Sequence, residues 1–311
     1  MENNELTVIQ HPGGLDQIKA LVIDGLNSPH SKTAYGHAID EFLEWYQEQG
    51  NPGLTKAVVN AYKAHLLKNT GYSPSTINLR LSAIRKLAKE AGDNELISDS
   101  RANGIKAVEG VTTGGVRSGN WLALEQARRL INAPDTTRLK GLRDRAILLV
   151  MIGSGLRRSE VAKLTFEHIQ QINGRWVIRN LVGKRNYVRT IPIQPKIKVY
   201  IDEWSAAAGI TEGFIFRPIN KGGLITGEKL TSQAIQNIVK EYALKCGYTN
   251  EELAAHDLRR TFAQLAILGG ASIDQIQLSL GHKSPDTTVR YLGNYQNFDK
   301  APSDFIDLGL D

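Results

Sequence analysis

Apolar residues recur at helical spacing along most of this chain, but the pattern lapses between Gly92 and Gly119, where glycines punctuate a Val/Thr-rich stretch. Such a stretch is typical of an extended linker. It divides a chain of 311 residues into two parts that are each long enough to enclose a core. We therefore expect a flexible lead over 1–14, a helical domain over 15–110, a linker over 111–120 and a second domain over 121–311.

The spacing of apolar residues in the first part of the chain predicts four helices. Ser31 can cap the second of them, and apolar residues from Ala34 to Trp45 then fall on one face. Ser73-Pro74-Ser75-Thr76 is typical of the start of the fourth helix. The apolar stripe of this fourth helix consists of Ile77, Leu81, Ile84 and Leu87.

The opposite face of the predicted fourth helix is polar and basic. Such a face is usually only solvated, and DNA phosphates are the alternative partner for its side chains. The residues alone leave both interpretations open. The candidate DNA contacts are Lys32 of the second helix together with Asn78, Arg80, Arg85 and Lys86.

The second part of the chain predicts a helical body that carries a small sheet. Gly183-Lys184-Arg185-Asn186 is typical of a hairpin turn between two strands. From Pro195 onward the pattern is again mainly helical. The fold class is therefore mainly α with a small antiparallel β-sheet. The predicted elements before Pro195 are helices at about 122–133, 142–153 and 158–164 and strands at 175–182 and 187–193.

Composition favours a polyanionic partner and a reducing compartment. The chain has 38 Lys and Arg against 32 Asp and Glu, and its net charge is +6. Cys246 is the only cysteine, which excludes an intrachain disulfide. The N-terminus lacks a signal-peptide pattern, and the longest strongly apolar run, 146–152, is too short to cross a bilayer. We expect a cytoplasmic protein that does not bind membranes.

A first chemical motif surrounds Arg157. Gly153 and Gly155 break an apolar helix, and Ser159-Glu160 lies in the first turn of the next one. Arg157 would project from this tight corner, where a guanidinium suits two phosphate oxygens. The alternative is that Arg157 only pairs with Glu160.

A second motif is the predicted turn that contains Lys184. Most turn lysines are only solvated, but a turn that points into a groove could bring an ammonium group to a leaving alkoxide as a general acid. Arg185 and Arg189 could do no more than bind phosphate, because arginine rarely releases its proton.

The third motif, His256-Asp257-Leu258-Arg259-Arg260-Thr261, can bring an imidazole and a guanidinium to one oxyanion. Positions 256 and 259 share a helix face, whereas Asp257 and Arg260 are expected to point elsewhere. A metal ligand at His256 is not favoured, because no second histidine lies four residues away and no cysteine is near.

The last motif places His282 after Gly281 at a predicted helix end. Tyr291 follows nine residues later, beyond a helix start at Ser284-Pro285-Asp286. Since the chain upstream supplies basic side chains that could assist cleavage, this tyrosine is the candidate nucleophile for a phosphodiester.

These motifs, in this order, resemble those of the tyrosine recombinase (phage integrase) family. Arg260 departs from the pattern, because many members have histidine or another residue there. We expect no arm-binding domain before Leu15, which favours the simpler two-domain members. The resemblance is carried by Gly155-Leu156-Arg157-Arg158-Ser159-Glu160 as the first arginine box, Gly183-Lys184 with Arg189-Thr190-Ile191-Pro192 as the hairpin lysine, His256-Asp257-Leu258-Arg259, and Leu280-Gly281-His282 with Tyr291.

The resemblance implies both a fold and a reaction. The first domain would be a four-helix, SAM-like core-binding domain, and the second would be the catalytic domain. Tyr291 would attack the scissile phosphate to leave a 3′-phosphotyrosyl link and a free 5′-hydroxyl, with no cofactor and no metal. The implied catalytic set is Arg157, Lys184, His256, Arg259, His282 and Tyr291.

The resemblance also implies a role for each member of this set. Arg157 and Arg259 would clamp the nonbridging phosphate oxygens, and His282 would add a hydrogen bond to the developing charge. His256 would help deprotonate the phenol, and Lys184 would protonate the departing 5′-oxygen.

The implied partner is double-stranded DNA with specific recombination sites. A homotetramer would hold two synapsed sites, and the protein would be a monomer or weak oligomer when free, in the cytoplasm at the nucleoid. The tail, 301–311, would either pack on its own domain or dock on a neighbouring protomer. Tyr295 is a rival nucleophile outside the expected spacing. The alternatives are a type IB topoisomerase-like enzyme and a non-catalytic DNA-binding protein of the same fold.

Overall fold

The computed structural model divides the chain into two compact units, 1–115 and 116–311. It describes residues 14–69, 71–112, 120–182, 188–249, 252–282 and 284–292. No helix within these ranges is both long enough and apolar enough to cross a membrane. The fold class predicted from the sequence, mainly α with a small antiparallel sheet, is confirmed.

Helix α4 is the centre of the first unit and packs against every other helix of that unit. Its predicted apolar stripe is buried, and Ser73 caps it by accepting a hydrogen bond from Thr76 N. The predicted cap at Ser31 is wrong, because the second helix begins two residues earlier at Pro29. The helices of this unit are α1 Gly14–Asp24, α2 Pro29–Glu48, α3 Lys56–Asn69, α4 Pro74–Asp93 and α5 Asp99–Lys106.

Helix α5 lies where the sequence predicted an extended linker, so that prediction is wrong over its eight residues. Ser98 caps the helix through Arg101 N, and Ile105 is fully buried. Gly92 permits the close approach, since a Cβ at Gly92 would lie 2.8 Å from the Ala102 Cβ. One buried residue gives too little periodicity to reveal a short helix from the sequence.

Helix α7 forms the centre of the second unit, where it packs against α9 and α11. Ile147, Met151 and Trp204 are fully buried in the core of this unit. The helices of the unit are α6 Leu124–Asn132, α7 Leu139–Ser154, α8 Arg158–Val161, α9 Pro195–Ala207, α10 Ser232–Lys245, α11 Ala255–Leu268, α12 Ile273–Leu280 and α13 Pro285–Leu292.

A three-stranded antiparallel sheet, ordered β1-β2-β3, interrupts the helices. Ile178 pairs with Ile169 on one side and with Ile191 on the other, and Ile178 and Ile191 are buried. The sequence missed β1, because its two central glutamines mask the strand pattern. The predicted hairpin turn lies outside the described residues. The strands are β1 Ile169–Ile172, β2 Arg175–Val182 and β3 Val188–Pro192.

Candidate active site

The corner that carries Arg157 is built by glycine at the end of α7. Gly155 has φ +63°, and a Cβ there would lie 2.5 Å from Phe262 Cδ1, so the position requires glycine. Glu160 accepts hydrogen bonds from Arg157 N at 2.8 Å and from Arg157 Nη1 at 2.9 Å. The ion pair weighed as an alternative for Arg157 is therefore present, and the guanidinium is still partly exposed to the adjoining cavity.

Glu160 is also held by a second arginine, Arg189 on β3. Arg189 Nη1 and Nη2 each donate to a different Glu160 oxygen at 2.9 Å, and Arg189 Nε donates to Ser279 O at 2.9 Å. Both side chains are buried. Burial would raise the pKa of Glu160, but the hydrogen bonds and charge of Arg189, followed by those of Arg157, hold it below its ordinary value.

Arg259 on α11 is buried, with 1% of its surface exposed. Its Nη1 donates to Gly155 O at 2.6 Å, its Nη2 donates to Leu280 O, and Nη2 also lies 3.4 Å from His282 Nε2. Burial, followed by the charge of Arg157, lowers the pKa of Arg259 to about 10. The guanidinium is thus charged at neutral pH, and the partners to which it directly donates are uncharged.

His282 follows Gly281, which ends α12 in the left-handed conformation at φ +64°. Burial, followed by the charge of Arg259, lowers the pKa of His282 to about 4, so the ring is neutral. Since Arg259 can only donate, His282 Nε2 accepts, and Nδ1 carries the proton. Nδ1 then donates to Thr288 Oγ1, 3.0 Å away on α13.

Tyr291 on α13 directs its hydroxyl at His256, with 3.2 Å between Tyr291 Oη and His256 Nε2. The two rings are perpendicular, with centroids 5.4 Å apart. Burial raises the pKa of Tyr291, although Arg259 and Arg260 oppose this rise. Burial, then the charges of Arg260 and Arg259, lowers the pKa of His256. A neutral His256 can accept the phenol proton.

Helix α13 is fixed to the rest of the unit by contacts that the sequence did not indicate. Gln264 Nε2 donates to Leu292 O at 2.5 Å, and Thr288 is fully buried beside His282. Leu292 joins an apolar cluster with Ile276 and other residues of α11 and α12. Together these contacts keep Tyr291 at the site within its own chain.

Arg260 also faces the site, and the expectation that it points elsewhere is wrong. Its guanidinium carbon lies 5.1 Å from the centroid of the Tyr291 ring. Four residues after His256, it comes round to nearly the same side of α11. Asp257 does turn away, because its Oδ2 accepts from Ala254 N at 2.9 Å at the start of the helix.

A cavity of about 370 Å³ adjoins these groups. Arg157, His256 and Arg259 line one side of it, and Ser159 and Gln236 contribute to the rest. Within the described ranges, no group of three His, Cys, Asp or Glu side chains could hold a metal ion. A cavity lined by cations and a neutral imidazole can hold an anion next to a phenol.

Three predictions about the second domain fall outside the described residues: Lys184, the rival nucleophile Tyr295 and the tail 301–311. Sequence reasoning gave Arg189 only a phosphate-binding role. Strand alternation was the available signal, because Arg189 and Ile191 lie two residues apart on the buried face of β3.

The candidate DNA contacts of the first unit all have partners in their own chain. Asn78 exchanges two hydrogen bonds with the Val111 backbone, at 2.9 and 2.7 Å. Arg80 lies 2.6 Å from Glu41 and stacks over Tyr72. The remaining three pairs are Arg85 with Val108 O, Lys32 with Asp24 at 3.7 Å, and Lys86 with Glu90 at 3.4 Å.

Comparison with known proteins identifies the family of both units. Residues 120–297 match the model of the phage integrase family, and residues 18–94 match the phage integrase N-terminal SAM-like domain. Tyrosine recombinase XerC of Myxococcus xanthus is 29% identical over 271 residues, which cover 85% of this chain and 87% of the relative.

Two solved structures have the same fold. The XerH site-specific recombinase bound to palindromic difH has a TM-score of 0.71 at 18% identity, with 89% of this chain and 80% of that chain covered. A lambda integrase(75-356) dimer bound to a COC' core site has a TM-score of 0.69 at 15% identity, with 92% and 97% covered.

Because the family match spans more than half of its length, the chain belongs to the phage integrase family, the tyrosine recombinases. It is a site-specific recombinase that cleaves and rejoins DNA strands.

Proposed function

We propose that Tyr291 is the nucleophile that attacks the scissile phosphate. The observation that carries this proposal is the 3.2 Å distance from its hydroxyl to the Nε2 of the neutral His256, which lines a cavity together with Arg157 and Arg259. The phenol proton passes to His256, the phenolate oxygen bonds to phosphorus, and the 5′-oxygen leaves. A 3′-phosphotyrosyl link conserves the bond energy until a 5′-hydroxyl of another strand attacks it.

Arg157 and Arg259 bind the nonbridging oxygens of that phosphate. Support comes from their position on the cavity wall and from the uncharged partners of Arg259. His282 assists after a change of protonation, because an anion beside it raises the pKa that burial and Arg259 have lowered. The protonated ring then donates from Nε2 to the phosphate while Nδ1 still donates to Thr288.

Lys184 protonates the departing 5′-oxygen. This assignment rests on the sequence, in which Lys184 lies between β2 and β3. An ammonium group can donate and recover a proton, which the neighbouring arginines cannot do at neutral pH. Lys184→Arg would therefore keep the charge but lose most of the cleavage rate.

The substrate is double-stranded DNA with specific sites, held by a homotetramer when two sites synapse and by a monomer or weak oligomer otherwise. Support comes from the solved relatives, described as bound to difH and to a COC' core site. The first domain, 15–110, joined by a linker over 111–120 to the catalytic domain 121–311, would add backbone contacts. Because the substrate is chromosomal or mobile DNA, we assign the enzyme to the cytoplasm, at the nucleoid.

A suicide substrate tests the nucleophile, because a nick near the scissile phosphate lets the cleaved strand diffuse away and traps the adduct. We expect a covalent protein–DNA adduct with the natural enzyme and with the control Tyr248→Phe, and none with Tyr291→Phe. An adduct that persists in Tyr291→Phe and disappears in Tyr295→Phe would contradict the assignment. A need for two specific sites would separate recombination from topoisomerase-like relaxation.

A further inference from the structure

Arg260 is a charged residue at the site, and the proposed mechanism gives it no role. It lies one helical turn after His256, and its guanidinium carbon is 5.1 Å from the centroid of the Tyr291 ring. Its Nε is buried and has no hydrogen-bond partner among the described residues. The ion pairs of Glu160 at the site are with Arg157 and Arg189, and Arg260 takes part in no ion pair among the described residues.

Two other arginines that stack on tyrosine rings differ from Arg260 in having a carboxylate partner, although the Nε of Arg145 is also buried without a hydrogen bond. Arg145 lies 4.4 Å from the Tyr200 centroid and donates to Glu203 at 2.9 Å. Arg80, which stacks on a ring in the first unit, is likewise paired with a carboxylate. In both cases an acid neutralises the guanidinium, so the stacking is structural. The charge of Arg260 is not neutralised in this way, and it is directed at the phenol.

The charges around Tyr291 explain what an additional cation can do. The titratable and charged groups that face the phenol are His256, Arg259 and Arg260 from α11, His282 after α12, and Arg157 before α8. Burial disfavours the phenolate that attack requires, and the arginines oppose that effect. Bound phosphate would neutralise Arg157 and Arg259, because both line the cavity. Arg260 then remains to stabilise the phenolate.

We propose that Arg260 is a positioning residue for the nucleophile, holding the Tyr291 ring against His256 and stabilising the phenolate formed when the proton leaves. This inference rests on the proposed role of Tyr291. A guanidinium over an aromatic face attracts the ring, and the attraction grows when negative charge spreads into that ring. The proton moves from Tyr291 Oη to His256 Nε2, and Arg260 keeps its own protons throughout.

Removing the charge of Arg260 should change both the pH dependence and the plateau rate of cleavage. Arg260 lowers the pKa of His256, so in Arg260→Met that pKa rises and the acid limb of the pH–rate profile moves to higher pH. The phenolate also loses its cation, so the plateau cleavage rate falls by about tenfold, the size expected for a half-buried cation–π contact. Arg260→Lys keeps the charge and should retain the natural acid limb and most of the rate.

The experiment is single-turnover cleavage of a suicide substrate by saturating enzyme, from about pH 5 to about pH 9. Arg145→Met is the matched control, because it removes a guanidinium from over a tyrosine ring outside the site, and its profile should match the natural one. An unchanged profile in Arg260→Met would overturn the proposal. So would a loss of DNA affinity with a shallower salt dependence at unchanged pH profile, because Arg260 would then be a phosphate contact.

A measurement on DNA-free protein keeps the proposal testable if cleavage is lost altogether. With 3-fluorotyrosine at position 291, fluorine NMR follows the phenol as it titrates. Arg260→Met should raise the pKa of this phenol relative to the natural protein, and Arg260→Lys should not. An equal pKa in Arg260→Met would refute the inference, whereas an adduct in Tyr291→Phe would refute the assignment of the nucleophile instead.

Discussion

Arg80 of the first unit and Arg259 of the second unit are held in opposite ways. In the first unit, Arg80 Nη2 lies 2.6 Å from a Glu41 oxygen, so a carboxylate cancels its charge. In the second unit, Arg259 donates to the backbone oxygens of Gly155 and Leu280, which satisfy its hydrogen bonds but not its charge.

This difference distinguishes an arginine that stabilises the fold from one whose charge is available to an anionic ligand. A buried charge is costly unless an opposite charge accompanies it. Glu160 is already shared by Arg157 and Arg189, and no acid forms an ion pair with Arg259 within the described residues. In the proposed mechanism, the DNA phosphate supplies the opposite charge.

The largest expected effect comes from removing the arginine without an acid. Arg259→Gln should lower the single-turnover cleavage rate by about 10²–10³-fold, the range for losing one donor to a developing oxyanion. Arg80→Gln, the matched change in the first unit, should lower that rate by no more than about threefold. Comparable losses in both variants, measured with saturating enzyme, would break the distinction between the two kinds of arginine.

The candidate catalytic side chains were predictable because phosphate chemistry requires particular residue types, and because their order and spacing resemble those of the tyrosine recombinase family. Arg157, His256, Arg259, His282 and Tyr291 were all chosen from the sequence, and the fold brings these five together. Helical spacing alone was enough to place His256 and Arg259 on one face of α11.

The supporting residues could not be predicted, because their partners are distant in the chain. Arg189 meets Glu160 across 29 residues, and Gln264 meets Leu292 across 28. A local sequence pattern carries no information about pairs that lie so far apart in the chain. Helix α5 was missed for a related reason, since its burial depends on contact with Gly92 of α4 and not on its own periodicity.

A change at Arg189 tests what makes an arginine structural. The two possibilities are its position in the chain's fold and its pairing with a carboxylate. Arg189 lies beside the catalytic groups but resembles Arg80, because Glu160 binds it through two hydrogen bonds. Arg189→Met should lower the free energy of unfolding by about 3 kcal/mol, since a buried carboxylate loses a partner. The measurement is urea unfolding of the DNA-free protein.

The double variant Glu160→Gln/Arg189→Met separates charge from packing. If the lost stability comes from the unpaired carboxylate, the double variant should be more stable than Arg189→Met alone. Equal or lower stability would mean that packing of the Arg189 side chain, including its bond to Ser279 O, is what matters.

Asn78 provides a smaller test within the first unit, where DNA contact and structural support compete. Its two hydrogen bonds hold the Val111 backbone, so Asn78→Ala should lower the free energy of unfolding by about 1–2 kcal/mol. Affinity for a half-site, measured by electrophoretic mobility shift, should change little if these bonds are its main role. A clear loss of affinity without a loss of stability would instead support the predicted DNA contact.

The smallest effect concerns pH and follows from the burial of His282 beside the charge of Arg259. Burial, then Arg259, lowers the pKa of His282 from 6.5 to about 4 in the folded protein. Between pH 6.5 and about pH 4, the His282 imidazole is protonated in the unfolded chain but neutral in the folded chain. The free energy of unfolding therefore falls as the pH falls through 6.5, and it levels off near pH 4. His256, whose pKa is also lowered, contributes in the same direction.

His282→Asn should reduce the melting-temperature difference between about pH 7 and about pH 5 by roughly 2–4 °C. Bound DNA should reverse the trend, because phosphate stabilises the imidazolium. An unchanged pH dependence in the variant would show that the lowered pKa of His282 is not its cause.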